Sequence, residues 1–267
     1  CSLQDEDTWV EPMKEEFRDK IWELMHDRSK DVDAFIAVSD YYAGYMKEHM
    51  NLPAEKIHTV QLGVDPEDYQ VRPVKEKERN IGFISRMCHA NGLDILVDAF
   101  LEMKKTPGFE DVKLYITGGQ TGDDTKYLKR LKKKISRSCC EDSVVYHDDF
   151  DGPGRIDFFN TVSVISVPLR EGYASGLFLL EAMASGIPVV QPAVGAMPEI
   201  IAASGGGITY PENDPLTLAG VLKDLLSDPE KIEDLSLSAR KGVADEYNIY
   251  KKTEKMMEVY RSAGAKD

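Results

Sequence analysis

Cysteine, positive charge and long apolar runs are what this sequence has least of, and each shortage excludes something. The four cysteines, Cys1, Cys88, Cys139 and Cys140, show neither metal-ligand spacing nor a disulfide framework. A reduced, cytoplasmic setting is therefore expected. The vicinal pair Cys139-Cys140 suggests no chemistry of its own. Lysine and arginine number 33 against 47 acidic residues, a net charge of −14. Such a balance argues against nucleic acid as a partner, because phosphate backbones attract basic surfaces. No apolar run approaches the ~20 residues that span a bilayer. The chain also opens on Cys1 rather than Met. A processed lipoprotein would begin with cysteine, but no flexible tether follows, so a chain starting inside a longer polypeptide is the preferred reading.

What is present is a soluble-type composition, 42% apolar and 30% charged over 267 residues. That length can bury one large core or two smaller ones. Apolar periodicity predicts a helix over 11–28, a buried strand over Ala34 to Ser39, a helix through Tyr45 and Met46, and a strand over Lys56 to Leu62. These pieces make about half of a Rossmann-like unit. A stretch dense in charge and proline separates them from a full alternation of strands (80–85, 112–116, 144–147, 162–167, from 189, 208–210) and helices (93–104, 125–137, 156–160, from 177, from 215, 229–246, 250–261). The expected fold is α/β, a parallel sheet with helices on both faces, preceded by an incomplete second Rossmann-like domain. The expected boundaries are 1–72 for the first domain's end, 73–79 for the linker and 80–247 for the complete domain. Residues 248–267 are expected to be a helix packing back toward the N-terminal part.

The chain is organised around Val162 to Ile201. A β-branched run ends at Pro168, a glycine-bearing loop covers Arg170 to Gly176, and LFLLEAMAS opens a helix that is apolar except for Glu181. Gly186 and Pro188 stop it, and Val189-Val190 starts the next strand. In a βαβ unit such a loop lies at the carboxyl edge of the sheet, where these folds bind ligands. The free amides and partial positive charge of the helix start suit a phosphate. A carboxylate on a buried wall needs a partner. A pair of ligand hydroxyls would serve Glu181, and so would neighbouring backbone or an arginine.

Gly176-Leu177, LLEAMASGIPVVQP, Val194-Gly195, Pro198-Glu199-Ile200-Ile201, the triple glycine from Gly205 and Asp214 together resemble the C-terminal half of retaining glycosyltransferases of family four. Ser85-Arg86 and Asn91-Gly92-Leu93-Asp94 add to the likeness, which runs from about Asp31 onward. The resemblance implies the GT-B architecture, two Rossmann-like domains facing across a cleft. It also implies transfer of a hexose from a nucleotide-diphosphate sugar without metal or other cofactor. Fixed cations and helix N-termini would then stabilise the diphosphate leaving group. By resemblance Arg86 grips the diphosphate and Glu181 accepts bonds from the ribose hydroxyls. Backbone amides of Ser175, Gly176 and Leu177 meet the phosphates or sugar, while Gly118 and His147 lie along the nucleotide. A surface ion pair remains the plain alternative for Arg86, and a structural histidine for His147.

Two departures stand out. The family's second cation, a lysine, falls at Asn91, an uncharged amide. At the family's usual spacing back from Glu181 stands Tyr173, not an acid, while Glu171 lies two residues farther off. Either Glu171 bends into the catalytic role or Tyr173 contacts the sugar through its hydroxyl. The acceptor side belongs to the N-terminal domain, so the expectation for this chain is donor binding with little transfer. The acceptor would be a sugar or a lipid-linked sugar. A non-catalytic nucleotide-sugar-binding module is the second reading. A metal-dependent transferase using Asp149-Phe150-Asp151 or Asp31-Val32-Asp33 is a third, and nothing points to an epimerase. The basic run from Lys126 to Arg137 could meet an anionic membrane, against the commoner alternative of a solvated helix face.

Overall fold

Two parallel sheets lie on either side of the charged segment that follows Tyr69. The computed structural model describes residues 1–69, 72–147 and 153–264, with only the backbone of Pro153. The smaller lobe holds β1 (Ser2–Leu3), α1 (Asp7–Val10), α2 (Glu15–Ser29), β2 (Phe35–Ala37), α3 (Asp40–Met50) and β3 (Ile57–Thr59), with strand order β1-β2-β3. The strands are short, and β2 is buried along its whole length. Phe35, Tyr42 and Met46 form the centre of this lobe's core. Ser39 caps α3 by accepting the Tyr42 amide at 3.0 Å. Asn51 in the left-handed conformation ends it.

The larger lobe begins with β4 (Ile81–Ile84), α4 (Leu93–Met103), β5 (Leu114–Thr117), α5 (Thr125–Arg137) and β6 (Val144–His147). It continues with α6 (Pro153–Thr161), β7 (Val164–Ile165), α7 (Leu177–Ala184), β8 (Val189–Pro192), α8 (Met197–Ser204), β9 (Gly207–Tyr210), α9 (Pro215–Leu226) and α10 (Pro229–Glu246). All its strands are parallel, in the order β6-β5-β4-β7-β8-β9. Chain order therefore runs outward from β4 in both directions, the doubly wound arrangement whose switch point lies between β4 and β7. Phe83, Leu96, Phe100, Phe158 and Leu180 fill the core beneath that point. Each such side chain contributes about 1.5–3 kcal/mol by leaving water. Asp214 caps α9, accepting the Leu216 amide at 2.8 Å and the Thr217 amide at 3.1 Å, with Pro215 behind it.

Two glycines let the switch point close tightly. Gly118, at φ +127°, leaves no room for a Cβ, which would stand 2.0 Å from the Ser85 carbonyl oxygen. Gly92, at φ +70°, would place one 1.9 Å from the Pro168 oxygen. The backbones after β4, β5 and β7 thus approach one another as no side chain would allow.

The last helix, α11 (Ile249–Gly264), returns to the smaller lobe, where Val259 packs with Ile36 and Val60. Val64 and Asn248 form an isolated parallel bridge on the way. The helix expected over 11–28 starts only at Glu15, because Pro12 and extended Lys14 break it from the short α1. β1, α1 and α8 fall where periodicity gave no element. The strand expected over Lys56 to Leu62 pairs only through Ile57–Thr59.

Candidate functional site

Arg86 follows β4 directly and stands at the switch point. Its Nε donates to Asp124 Oδ2 at 3.0 Å, and its Nη2 donates to Asp124 Oδ1 at 3.2 Å and Thr121 Oγ1 at 2.9 Å. Asp124 closes the turn that opens α5, and Thr121 and Asp124 cap each other's backbone. Burial pushes the Asp124 carboxyl up, but the bonds from Arg86 and Thr121 outweigh this and hold it below its ordinary value. The result is a half-exposed guanidinium clamped along one edge, while Nη1 makes no hydrogen bond among the described residues. A planar fork held this way suits an incoming phosphate oxygen.

The loop between β7 and α7 is pinned from below. Arg170 makes a two-pronged ion pair with Asp94, both bonds at 2.8 Å, and Tyr127 donates to the same carboxylate at 2.8 Å. Asn91 is buried, and its amide donates to Ser85 Oγ at 2.7 Å and to the Arg86 carbonyl at 3.1 Å. Those two bonds take both of its N–H groups into the loop that carries Arg86. The chain then rises through Glu171, Gly172 and Tyr173 to Gly176, which precedes the first turn of α7. The Leu179 and Leu180 amides bond the Gly176 carbonyl, at 2.9 and 3.1 Å, which leaves the amides of Leu177 and Phe178 without a partner inside the helix.

Glu181 is buried and already engaged. Its carboxylate accepts from Tyr69 Oη at 3.2 Å and pairs with the Arg155 guanidinium. Burial raises its pKa in spite of Arg155 and Tyr69. Of the partners open to it in the sequence, an arginine is the one this structure holds.

The two lobes meet across a cavity of about 690 Å³. Arg86, Asn91, Glu171 and Tyr173 line it from the larger lobe, and Asp5, Asp7, Trp9, Glu11, Tyr41 and Tyr45 from the smaller. The lobes are stitched at its edge. Glu199 accepts the backbone amides of Asp40 and Tyr41, each at 3.0 Å, and Asp5 accepts that of Ala174 at 3.0 Å. Burial lifts both carboxyls above their ordinary range. The structure thus brings Arg86, Asn91, Glu171 and Tyr173 together. Gly118, His147, Ser175, Gly176, Leu177 and Glu181 are not among the residues lining that cavity. Leu177 instead borders an apolar hollow with Leu62, Ile249 and Met257. His147 ends β6 with its ring edge-on to Phe158, the centroids 6.0 Å apart.

Other expected features lie elsewhere. Asp31 and Asp33 border a separate hollow with Cys1 at the foot of β2, and Asp149-Phe150-Asp151 falls outside the described residues. No group of three metal-ligating side chains occurs among the described residues. No helix among them is long and apolar enough to cross a membrane. On α5, Lys126, Lys129, Arg130, Lys133 and Arg137 are exposed, while Lys134 pairs with Asp98 and Lys132 sits 4.6 Å from the Tyr146 ring centre.

Sequence reasoning did not find Asp124, Arg155, Tyr69 or the smaller lobe's wall. Thr121-Gly122-Asp123-Asp124 ahead of an amphipathic helix has the form of a capping box, a signal that could have found Asp124. Arg155 and Tyr69 are 26 and 112 residues from Glu181, and no local pattern joins them.

Residues 78–228 match the family described as glycosyl transferases group 1. The chain belongs to that family. It is 26% identical over 246 residues to a D-inositol 3-phosphate glycosyltransferase of Xylanimonas cellulosilytica, covering 86% of this chain and 57% of that protein. It is 28% identical over 204 residues to the amylovoran biosynthesis glycosyltransferase AmsK of Erwinia amylovora, covering 74% and 49%. The chain thus spans about half the length of the curated relatives it matches. Among solved structures, HepE of Anabaena in complex with UDP and glucose superposes with a TM-score of 0.83 at 18% identity, over 98% of this chain and 70% of that one. The shared fold is GT-B.

Proposed function

We propose that this chain carries the donor-binding half of a retaining, metal-independent hexosyltransferase, and that its donor is a nucleotide-diphosphate sugar, with UDP the first nucleotide to test. The observation that carries this reading is Arg86, clamped by Asp124 at the switch point of a doubly wound sheet. Cleavage of the sugar–phosphate bond leaves negative charge on the diphosphate. Arg86 and the first-turn amides of α7 would stabilise that charge, each fixed before the reaction and so costing no reorganisation. Ribose hydroxyls would replace Tyr69 and Arg155 as donors to Glu181. Glu171 and Tyr173, on the cavity wall opposite the smaller lobe, are the candidates to touch the transferred sugar. His147 and Gly118 would border the nucleotide. The reduced thiols favour the cytoplasm, and the exposed basic face of α5 would approach an anionic membrane if the acceptor is lipid-linked.

A thermal-shift panel of UDP, GDP, ADP and their sugars tests this directly. A ligand at ~100 times its dissociation constant adds about 2.7 kcal/mol of stability. One nucleotide should raise the melting temperature above the rest, and a flat panel would contradict the reading. A second reading, a nucleotide-sugar-binding module without turnover, is favoured by Asn91, whose N–H groups are spent on Ser85 and Arg86. Donor hydrolysis by a chain with its N-terminal domain complete would decide between them.

A further inference from the structure

Arg86, Arg155 and Arg170 stand near the carboxyl edge of the larger sheet, and each is matched by an acid. Arg86 pairs with Asp124, Arg170 with Asp94 and Arg155 with Glu181. Asp124 also accepts the Thr121 amide and hydroxyl, at 2.8 and 2.9 Å, and Asp94 accepts the Tyr127 hydroxyl, so both acids are tied into the protein's own turns. Glu181 differs. It is buried, and its donors come from separate elements, Arg155 from the first turn of α6 and Tyr69 from the segment that leaves the smaller lobe. Two neighbouring hydroxyls of a ribose supply the same number of donors. That carboxylate therefore stays hydrogen-bonded when its arginine leaves.

A nucleoside diphosphate brings one negative charge on its inner phosphate and about two on its outer one. Arg86 offsets only part of this, because Asp124 already shares its charge, and both N–H groups of Asn91 are spent on Ser85 and the Arg86 carbonyl. We propose that Arg155 is the second cation of this site: ribose hydroxyls take over Glu181, and the guanidinium they release turns to the phosphates. The inference rests on the donor-binding reading above. The path is short. Leu177, at the start of α7, and Glu181 are about one turn apart on the same helix face, roughly 6 Å. In a parallel sheet the starts of α6, after β6, and of α7, after β7, lie on the same edge. The exchange also balances. Glu181 trades one guanidinium and one hydroxyl donor for two hydroxyls, and Arg155 trades a carboxylate for a phosphate, which its planar fork fits as well. Uridine has the hydroxyls but no phosphate, so it breaks the Arg155–Glu181 pair and gives the guanidinium nothing in return.

The test is calorimetric titration of UDP and uridine into wild type, Arg155→Gln and Arg155→Lys. UDP binding to the wild type is measured first. Its absence would end the donor reading and this proposal with it; once it is present, the variants decide the role of Arg155 alone. Arg155→Gln should weaken UDP by about tenfold and bind uridine at least as tightly as the wild type does. Arg155→Lys, which keeps the charge, should stay within about threefold of the wild type for UDP. Uridine binding reports in each variant that the ribose seat is folded, and Arg155→Met stands in if the glutamine variant melts early. Unchanged UDP affinity in Arg155→Gln, an equal loss of UDP and uridine there, or a lysine variant no better than the glutamine one would each overturn the proposal.

Discussion

The Glu199 carboxylate of the larger lobe and the Tyr41 backbone amide of the smaller are joined at 3.0 Å, and the second carboxylate oxygen takes the amide of Asp40 at the same distance. One side chain thus caps the first turn of α3 across the lobe boundary, while Ser39 caps the next amide from within. The wall that carries Tyr41 and Tyr45 is registered against Arg86 by this contact.

Glu199→Ala should therefore lower stability by about 1–2 kcal/mol, the usual range for a lost helix cap. Hydrogen exchange at Asp40 and Tyr41 should accelerate well before that of the β4 and β5 amides. Unchanged exchange at those two positions would mean that the lobes are held by something else.

Asp124 acts through Arg86 and is a positioning residue in this account. Asp124→Ala should weaken UDP binding by about five- to tenfold, because the guanidinium loses the partner that fixes its plane. Binding of uridine, which lacks the diphosphate, should not change. A parallel loss for uridine would assign Asp124 a purely structural role in the turn that opens α5.

Lys77 gives a pH dependence with a definite sign. Its Nζ donates to the Phe159 carbonyl at 2.9 Å, and burial, with a smaller push from Arg72, brings its pKa down to about 8. Below that value both folded and unfolded chains hold the proton, and the folded chain carries the full cost of a buried ammonium. Between about 8 and the ordinary lysine value of about 10.4 only the unfolded chain remains protonated, so stability rises with pH across that window. Chemical denaturation should show this rise, on the order of 2–3 kcal/mol, in the wild type and not in Lys77→Met. A flat profile in both would place the ammonium in water.

Much of the larger lobe was legible because its residues announce local structure. Asp214-Pro215 marks a helix start, Gly186-Pro188 a helix end, and Leu128, Leu131 and Ile135 repeat at helical spacing and are buried together. Arg86 could be singled out through the family resemblance, in which it is the arginine that grips the diphosphate. The smaller lobe's opening was not legible. Residues 1–14 have no apolar period, Trp9 stands in solvent, and Phe17 and Leu24 are more than half exposed, so hydrophobicity there does not report burial. The partners of the two singled-out charges were hidden for a different reason. Asp124 and Arg155 reach Arg86 and Glu181 only after the sheet has been wound, across 38 and 26 residues, and a contact of that range leaves no periodic trace. At Asn91 the sequence shows only an uncharged amide where the family carries a lysine. In the folded chain its amide holds the loop that carries Arg86.

The central claim, that Arg86 and Glu181 grip opposite ends of one nucleoside diphosphate, is tested most directly by calorimetric titration of UDP and uridine into wild type, Arg86→Ala and Glu181→Ala. UDP should bind the wild type. Arg86→Ala should weaken UDP by about ten- to a hundredfold, the worth of a charge-assisted bond, and leave uridine untouched. Glu181→Ala should weaken both ligands alike, since both carry the ribose hydroxyls. Binding of UDP to Arg86→Ala with wild-type affinity would contradict the account.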